Sequence, residues 1–166
     1  VHPDFAIVHS EYLINERTGE IRVVESALRG GGVYISSHLV PLFTGIGIND
    51  MLIDCALGKE IDIRALFSRN VRKAAAYICF YLPEGIVRSI SGLEKIKGLP
   101  YVHQCDVSVE VGDAVKEMTY KGQRLGPVIV SGESRMDIEE KICTIQEILE
   151  IKVQSEKGGL LGIVWD

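Results

Sequence analysis

The sequence predicts an α+β chain in two parts, an antiparallel hairpin plus helix followed by a small mixed α/β domain. Three observations predict it. Two runs rich in β-branched and aromatic residues flank the turn segment Asn15-Glu16-Arg17-Thr18-Gly19. A triple glycine, Gly30-Gly31-Gly32, then leads into an apolar stripe of helical period. Beyond residue 73, short apolar runs punctuated by glycine and proline end in a second, longer helical stripe.

The elements follow in order. Phe5 to Ile14 and Glu20 to Ala27 read as strands joined by the polar turn, the signature of a β-hairpin. Asn49 is placed as the N-cap of a helix whose stripe is Ile48, Met51, Leu52, Cys55 and Ala56, with Gly58 as its C-cap. A boundary is expected near Ser68 to Lys73, dividing the chain into residues 1–70 and 71–166. Ala74 to Leu82 is an apolar run of strand length, expected to be buried. Gly85 to Val130 reads as short strands broken by Gly92, Gly98-Leu99-Pro100, Gly112, Gly122 and Gly126-Pro127. Ser134 caps a final helix with Ile138, Ile142, Ile145 and Leu149 on one stripe. Gly158 to Trp165 reads as a terminal strand.

Composition bounds the function. With 166 residues, one compact domain or two very small ones fit. Hydrophobic residues at 46% and charged ones at 25% are globular proportions, which excludes a disordered or fibrous chain. Eighteen basic against 23 acidic residues give a net charge of −5, so neither nucleic acid nor an anionic membrane surface is an expected partner. No apolar run approaches the roughly 18 residues that span a bilayer. Cys55, Cys79, Cys105 and Cys143 form no Cys-x-x-Cys pair, and Cys55, Cys79 and Cys143 sit in apolar surroundings as small hydrophobes. A reduced, cytoplasmic protein is expected. The chain opens at Val1 without Met, which reads as a cut.

Chemistry concentrates between Val8 and Gly58. Glu11 and Glu25 are acids inside strands that otherwise want apolar residues. With Ile14 opposite Glu20, Glu11 faces Val23 and Glu25 faces His9. The two acids then share one face as diagonal neighbours, roughly 7–8 Å apart at Cα; a one-residue slip would place them on opposite faces. Converging carboxylates suit a hard divalent cation, and a solvated hairpin face is the alternative. Arg29 follows Glu25 by four residues and precedes the triple glycine, a combination able to offer a guanidinium fork and backbone N–H groups to an oxyanion. A flexible hairpin exit is the alternative there. Among further candidates, His9 shares the face of the acids and His38 follows Ser36-Ser37. Arg88 stands on a later strand, where a surface salt bridge is its ordinary role. His103 reads as surface, and Glu139-Glu140-Lys141 as the solvated face of the last helix.

The segments Glu25-Ser26-Ala27-Leu28-Arg29-Gly30-Gly31-Gly32, Thr44-Gly45-Ile46-Gly47-Ile48 and Ala56-Leu57-Gly58 resemble the C-terminal part of an ATP-grasp ligase domain. The flavour is that of the carboxylate–amine ligase group, similar also to carbamoyl phosphate synthetase and biotin carboxylase. Residues 82–88, 112–115 and 124–132 resemble strands of the small domain that closes these enzymes. The resemblance implies ATP and magnesium as cofactors, with small-molecule carboxylate and amine substrates. It places Glu11 and Glu25 as metal ligands and Arg29 as the catalytic cation. Gly30, Gly31 and Gly32 would help to hold the nucleotide-side and acceptor groups. Two departures stand out. The family usually carries Asn two residues after the second acid, and here that residue is Ala27. Biotin carboxylases place a base four beyond the arginine, and here that residue is Val33, so amide formation fits better than biotin carboxylation. The family's ATP-gripping lysines and flap precede the first acid, so a missing N-terminal half is an expected partner, and homo-oligomerisation is open. A non-catalytic binding or assembly module with a decayed metal site is the rival reading.

Overall fold

A computed structural model describes residues 6–62, 64 and 73–165. The chain divides into two compact units, Val1–Arg72 and Lys73–Asp166. The predicted strand start at Phe5 and the boundary segment 68–72 lie outside the described residues.

In the first unit, β1 (His9–Ile14) pairs antiparallel with β2 (Ile21–Ala27). Asn15 builds the turn: its Oδ1 accepts the N–H groups of Arg17 and Thr18, and its own N–H donates to the Glu20 carbonyl at 2.9 Å. Gly19 closes the turn at φ 71°, where a Cβ would be strained. Because Asn15 pairs with Glu20, the predicted register is corrected. Ile14 faces Ile21, Leu13 faces Arg22 and Tyr12 faces Val23. A bulge at Val24 then shifts the pairing, so that Glu11 faces Glu25, Ser10 faces Ser26 and His9 faces Ala27.

A single π-type turn (Ile35–Leu39) runs into α1 (Val40–Thr44), and α2 (Ile48–Ala56) follows. The two helical pieces bend by 113° at the Gly45–Gly47 break. The N-cap of α2 is Gly47 and not the predicted Asn49, and no side chain caps that end. Its C-terminus does use Gly58, at φ 78°, with the Lys59 N–H donating back to the Asp54 carbonyl at 3.0 Å. Among the described residues of this unit Ser36 alone is buried. Tyr12, Ile14, Ile21 and Val23, on the hairpin face opposite Glu11 and Glu25, are each more than half exposed.

The second unit holds the core. One antiparallel sheet has the order β10-β3-β7-β5, from Val164–Trp165, Ala74–Tyr81, Leu125–Gly132 and Val102–Cys105. The other runs β6-β4-β8-β9, from Ala114–Val115, Gly85–Ser91, Glu150–Gln154 and Leu160–Leu161. Helix α3 (Leu93–Lys97) and helix α4 (Arg135–Ile148) complete the unit. Ile78, Phe80, Val87, Ile96, Val128, Val130, Ile145, Ile151 and Val153 pack into one cluster drawn from both sheets and both helices. Trp165 lies against Phe80 at 5.1 Å between ring centroids, so the last strand seals the first sheet. Ser134 caps α4 as predicted, its Oγ accepting from the Asp137 N–H at 3.2 Å. Ile138, Ile145 and Leu149 are buried and Ile142 is half-buried, as the stripe requires.

The second unit and the cysteines depart from expectation at three further points. The terminal strand is two short strands, β9 and β10, in different sheets, with Gly162 and Ile163 between them. Cys143 is exposed, whereas Cys79 is buried and Cys55 half-buried. Lys141 is not part of a solvated face. Its Nζ donates to Asp137 Oδ2 at 2.8 Å and to the Ser131 carbonyl at 3.1 Å, and it stands 5.1 Å from the Tyr101 ring centroid. That pairing, with the Glu133 N–H also donating to Asp137, holds the Asp137 carboxyl below its ordinary range.

Candidate functional site

The Val24 bulge decides the geometry of the hairpin. Continuing the register set at the turn would pair Glu11 with Val24 and Glu25 with Ser10, on opposite faces. One extra residue in β2 restores them to one face and brings them directly across from each other. Opposed residues of an antiparallel pair have Cβ atoms about 4.5–5.5 Å apart. The acids are therefore closer than the diagonal arrangement the sequence predicts.

Among the described residues each acid has one oppositely charged or basic partner. Glu25 Oε1 accepts from Arg29 Nη2 at 3.4 Å, and Glu11 Oε1 lies 3.5 Å from His9 Nε2. Arg29 is fixed by a second bond, Nη1 to the Gly30 carbonyl at 3.1 Å. The side chains of Glu11, Glu25 and Arg29 stay more than half exposed, and an exposed ion pair contributes only ~0–1 kcal/mol. Their placement therefore does little for stability and leaves one oxygen of each carboxylate and part of the guanidinium open to a ligand. The residues fit a hard divalent cation by donor chemistry. Among the described residues no group of three or more His, Cys, Asp or Glu is arranged to hold a metal. Two carboxylates would thus be the protein's share, with water and phosphate oxygens completing the shell, a usual mode for magnesium.

The glycines after Arg29 differ in role. A Cβ on Gly30 would meet Ser36 Oγ at 2.5 Å, and one on Gly31 would meet Ile35 Cγ2 at 2.8 Å and His9 Nδ1 at 2.9 Å. Gly32 has nothing within 4 Å of that position. Two of the three are therefore demanded by close approach. The chain then passes through Val33 at φ 46° and Tyr34 at φ 61°, left-handed positions costing of order 1–3 kcal/mol each for such residues. Ser36, buried, donates its hydroxyl to the Gly31 carbonyl at 3.4 Å and ties the turn to the helix. Neither the strained pair nor the anchoring role of Ser36 is readable from residue type, since left-handed positions favour Gly and Asn. His38 faces away to local partners, Ser37 Oγ at 2.8 Å and the Tyr34 ring at 5.0 Å.

Arg88, on β4, donates through Nε to Gln154 Oε1 at 2.7 Å, so its partner is an amide and not the expected carboxylate. His103 is exposed and shares a 2.7 Å hydrogen bond with Ser131.

Residues 78–154 match the family model for the L-amino acid ligase C-terminal domain 2. The backbone superposes on the crystal structure of an L-amino acid ligase from Bacillus licheniformis with a TM-score of 0.70, at 22% identity over 89% of this chain. It also matches a phosphoribosylglycinamide synthetase from Anaerococcus prevotii, with a TM-score of 0.67 at 20% identity over 87% of the chain. The fold is that of the C-terminal portion of an ATP-grasp ligase. The chain spans 36% of the length of each of these two structures. No curated protein matches it in sequence. Among the described residues no single helix is long and apolar enough to cross a membrane.

Proposed function

We propose that the chain supplies the catalytic floor and closing domain of an ATP-dependent carboxylate–amine ligase that forms an amide through an acyl phosphate. The observation that carries this reading is the Glu11–Glu25 pair, brought to one face by the Val24 bulge and flanked by Arg29 and the glycine turn. The fold and the L-amino acid ligase family match over residues 78–154 support it.

Glu25 and Glu11 would hold the cation between them. A magnesium ion bound there supplies charge neutralisation for the clustered phosphates of ATP. Arg29, anchored by Glu25 and the Gly30 carbonyl, turns its remaining N–H groups to the phosphoryl in transfer and to the acyl phosphate. Little covalent chemistry is asked of the protein, because positioned charge lowers the barrier. Gly30, Gly31 and Gly32 let the backbone approach closely and offer N–H groups to the acceptor. The substrates are a small carboxylate and an amine, in a reduced cytoplasmic setting. The nucleotide-gripping half lies in a preceding segment of the same protein, and the exposed apolar hairpin face of Tyr12, Ile14, Ile21 and Val23 suits such a neighbour.

The test joins the chain to the segment encoded upstream and follows magnesium-dependent ATP hydrolysis over a panel of carboxylates and amino acids. Glu25→Gln and Arg29→Ala should each lower the rate by about 10²–10³-fold. Full activity in either variant would overturn the assignment of these residues, and no magnesium-dependent hydrolysis in the unaltered protein over the whole panel would favour a non-catalytic module, the reading that Ala27 invites.

A further inference from the structure

On the β1 side of the hairpin, His9 lies against both the acid pair and the glycine turn, as Arg29 does on the β2 side. The His9 Nε2 lies 3.5 Å from Glu11 Oε1, and its Nδ1 sits where a Cβ on Gly31 would come within 2.9 Å. Its partner across the strands is Ala27, whose methyl group leaves the imidazole room on the face of the acids. The His9 side chain is 21% exposed, against 60% for Glu11. A half-buried ring wedged against a turn thus holds a carboxylate that is otherwise free to rotate.

We propose that His9 is a positioning residue that fixes the Glu11 carboxylate for the cation and links it to the seating of the glycine turn. The inference rests on the reading of Glu11 and Glu25 as cation ligands. His9 acts through Glu11 and is not itself a ligand, since His9, Glu11 and Glu25 do not converge as a three-residue metal set. The imidazole Nε2 sits 3.5 Å from Oε1 and holds that oxygen in place, which leaves Oε2 to face the cation and removes side-chain freedom that binding would otherwise have to freeze. Hydrogen-bond partners of this kind commonly change metal affinity 10–100-fold when removed. Ala27 gives the ring this space, because a larger side chain there would compete with it.

The test titrates the 15N-labelled full chain with manganese and reads paramagnetic broadening of backbone amides. In the unaltered chain, broadening should centre on residues 10–12 and 24–26, and Glu25→Gln should abolish it. His9→Ala should require about 10–100-fold more manganese for the same broadening. His9→Gln, which keeps an N–H donor of similar reach, should recover most of the loss. In diamagnetic titrations with magnesium, the Gly31 amide should shift in the unaltered chain and stay still in His9→Ala, a response that a merely structural role would not give. Unchanged amide shifts at residues 13–22 and 48–58, away from the substituted positions, report that the first unit keeps its fold in each variant. Equal manganese affinity in His9→Ala and the unaltered chain, with Glu25→Gln still abolishing binding, would refute the positioning role and leave the cation site standing. Broadening indifferent to Glu25→Gln would overturn both.

Discussion

Replacing Gly31 by alanine should loosen the turn that follows Arg29, and the structure gives the size of the effect. The new Cβ would lie 2.8 Å from Ile35 Cγ2, 2.9 Å from Ile35 Cβ and 2.9 Å from His9 Nδ1. Carbon atoms rest at about 3.5–4.0 Å, so the neighbours must retreat by roughly 0.7 Å or more. Ile35 has little freedom to do so, because it opens the π-type turn directly after Tyr34, already at φ 61°. Overpacking of this kind costs about 1–3 kcal/mol. Local opening free energy falls by the same amount, so amide exchange across residues 28–44 should accelerate about 5- to 150-fold. Gly32→Ala is the matched control. Nothing lies within 4 Å of its Cβ position and its φ is not left-handed, so the change should be neutral or stabilise by about 0.4–1 kcal/mol. Hydrogen exchange read by mass spectrometry separates the two. Gly31→Ala exchanging like the unaltered chain, or Gly32→Ala loosening the turn as much, would refute the close-approach argument.

Other outcomes follow from the second unit. Ile145→Ala removes a fully buried side chain from α4 and should cost about 2–5 kcal/mol, read as a lowered urea midpoint at unchanged slope. Asp137 is held below its ordinary value of 3.8, chiefly by the Lys141 hydrogen bond and next by the Glu133 N–H. A depressed carboxyl contributes stability that is present above the ordinary value and lost as pH falls through the lower folded one. Asp137→Asn should therefore flatten the acid limb of the stability profile below about pH 4 and leave its shape near neutrality unchanged; an acid limb identical to that of the unaltered chain would contradict the Lys141 pairing.

Local chemistry makes several elements legible in the residues themselves. Asn15 and Gly19 announce the hairpin, Ser134 announces α4, and the apolar run at 74–82 announces a central strand. What stayed hidden depends on neighbours. The register of β1 against β2 turns on one extra residue, Val24, which looks like any strand valine. Helix α3 has five residues, too few to show a period, and it starts from Gly92 at φ 88° inside what reads as a strand-rich tract. The π-type turn and α1 hide behind Ser36-Ser37-His38 and Pro41, residues that ordinarily argue for a loop. Gly162 and Ile163 split the terminal strand because its two halves serve different sheets. For the candidate site, residue type drew attention to Glu11, Glu25 and Arg29. Their direct opposition, the contact of His9 with Glu11 and the strain at Val33 and Tyr34 are properties of the folded chain alone.

The most direct measurement tracks oxygen. The chain, joined to its upstream segment, is supplied with ATP, magnesium, an amine and a carboxylate substrate labelled with 18O in both carboxyl oxygens. Attack of the carboxylate on the γ-phosphorus, followed by displacement by the amine, moves one labelled oxygen into inorganic phosphate and keeps the other in the amide. The account predicts ADP and singly labelled phosphate in step with amide, and loss of all three products in Glu25→Gln. Unlabelled phosphate accompanying amide formation, or label appearing in AMP, would contradict it.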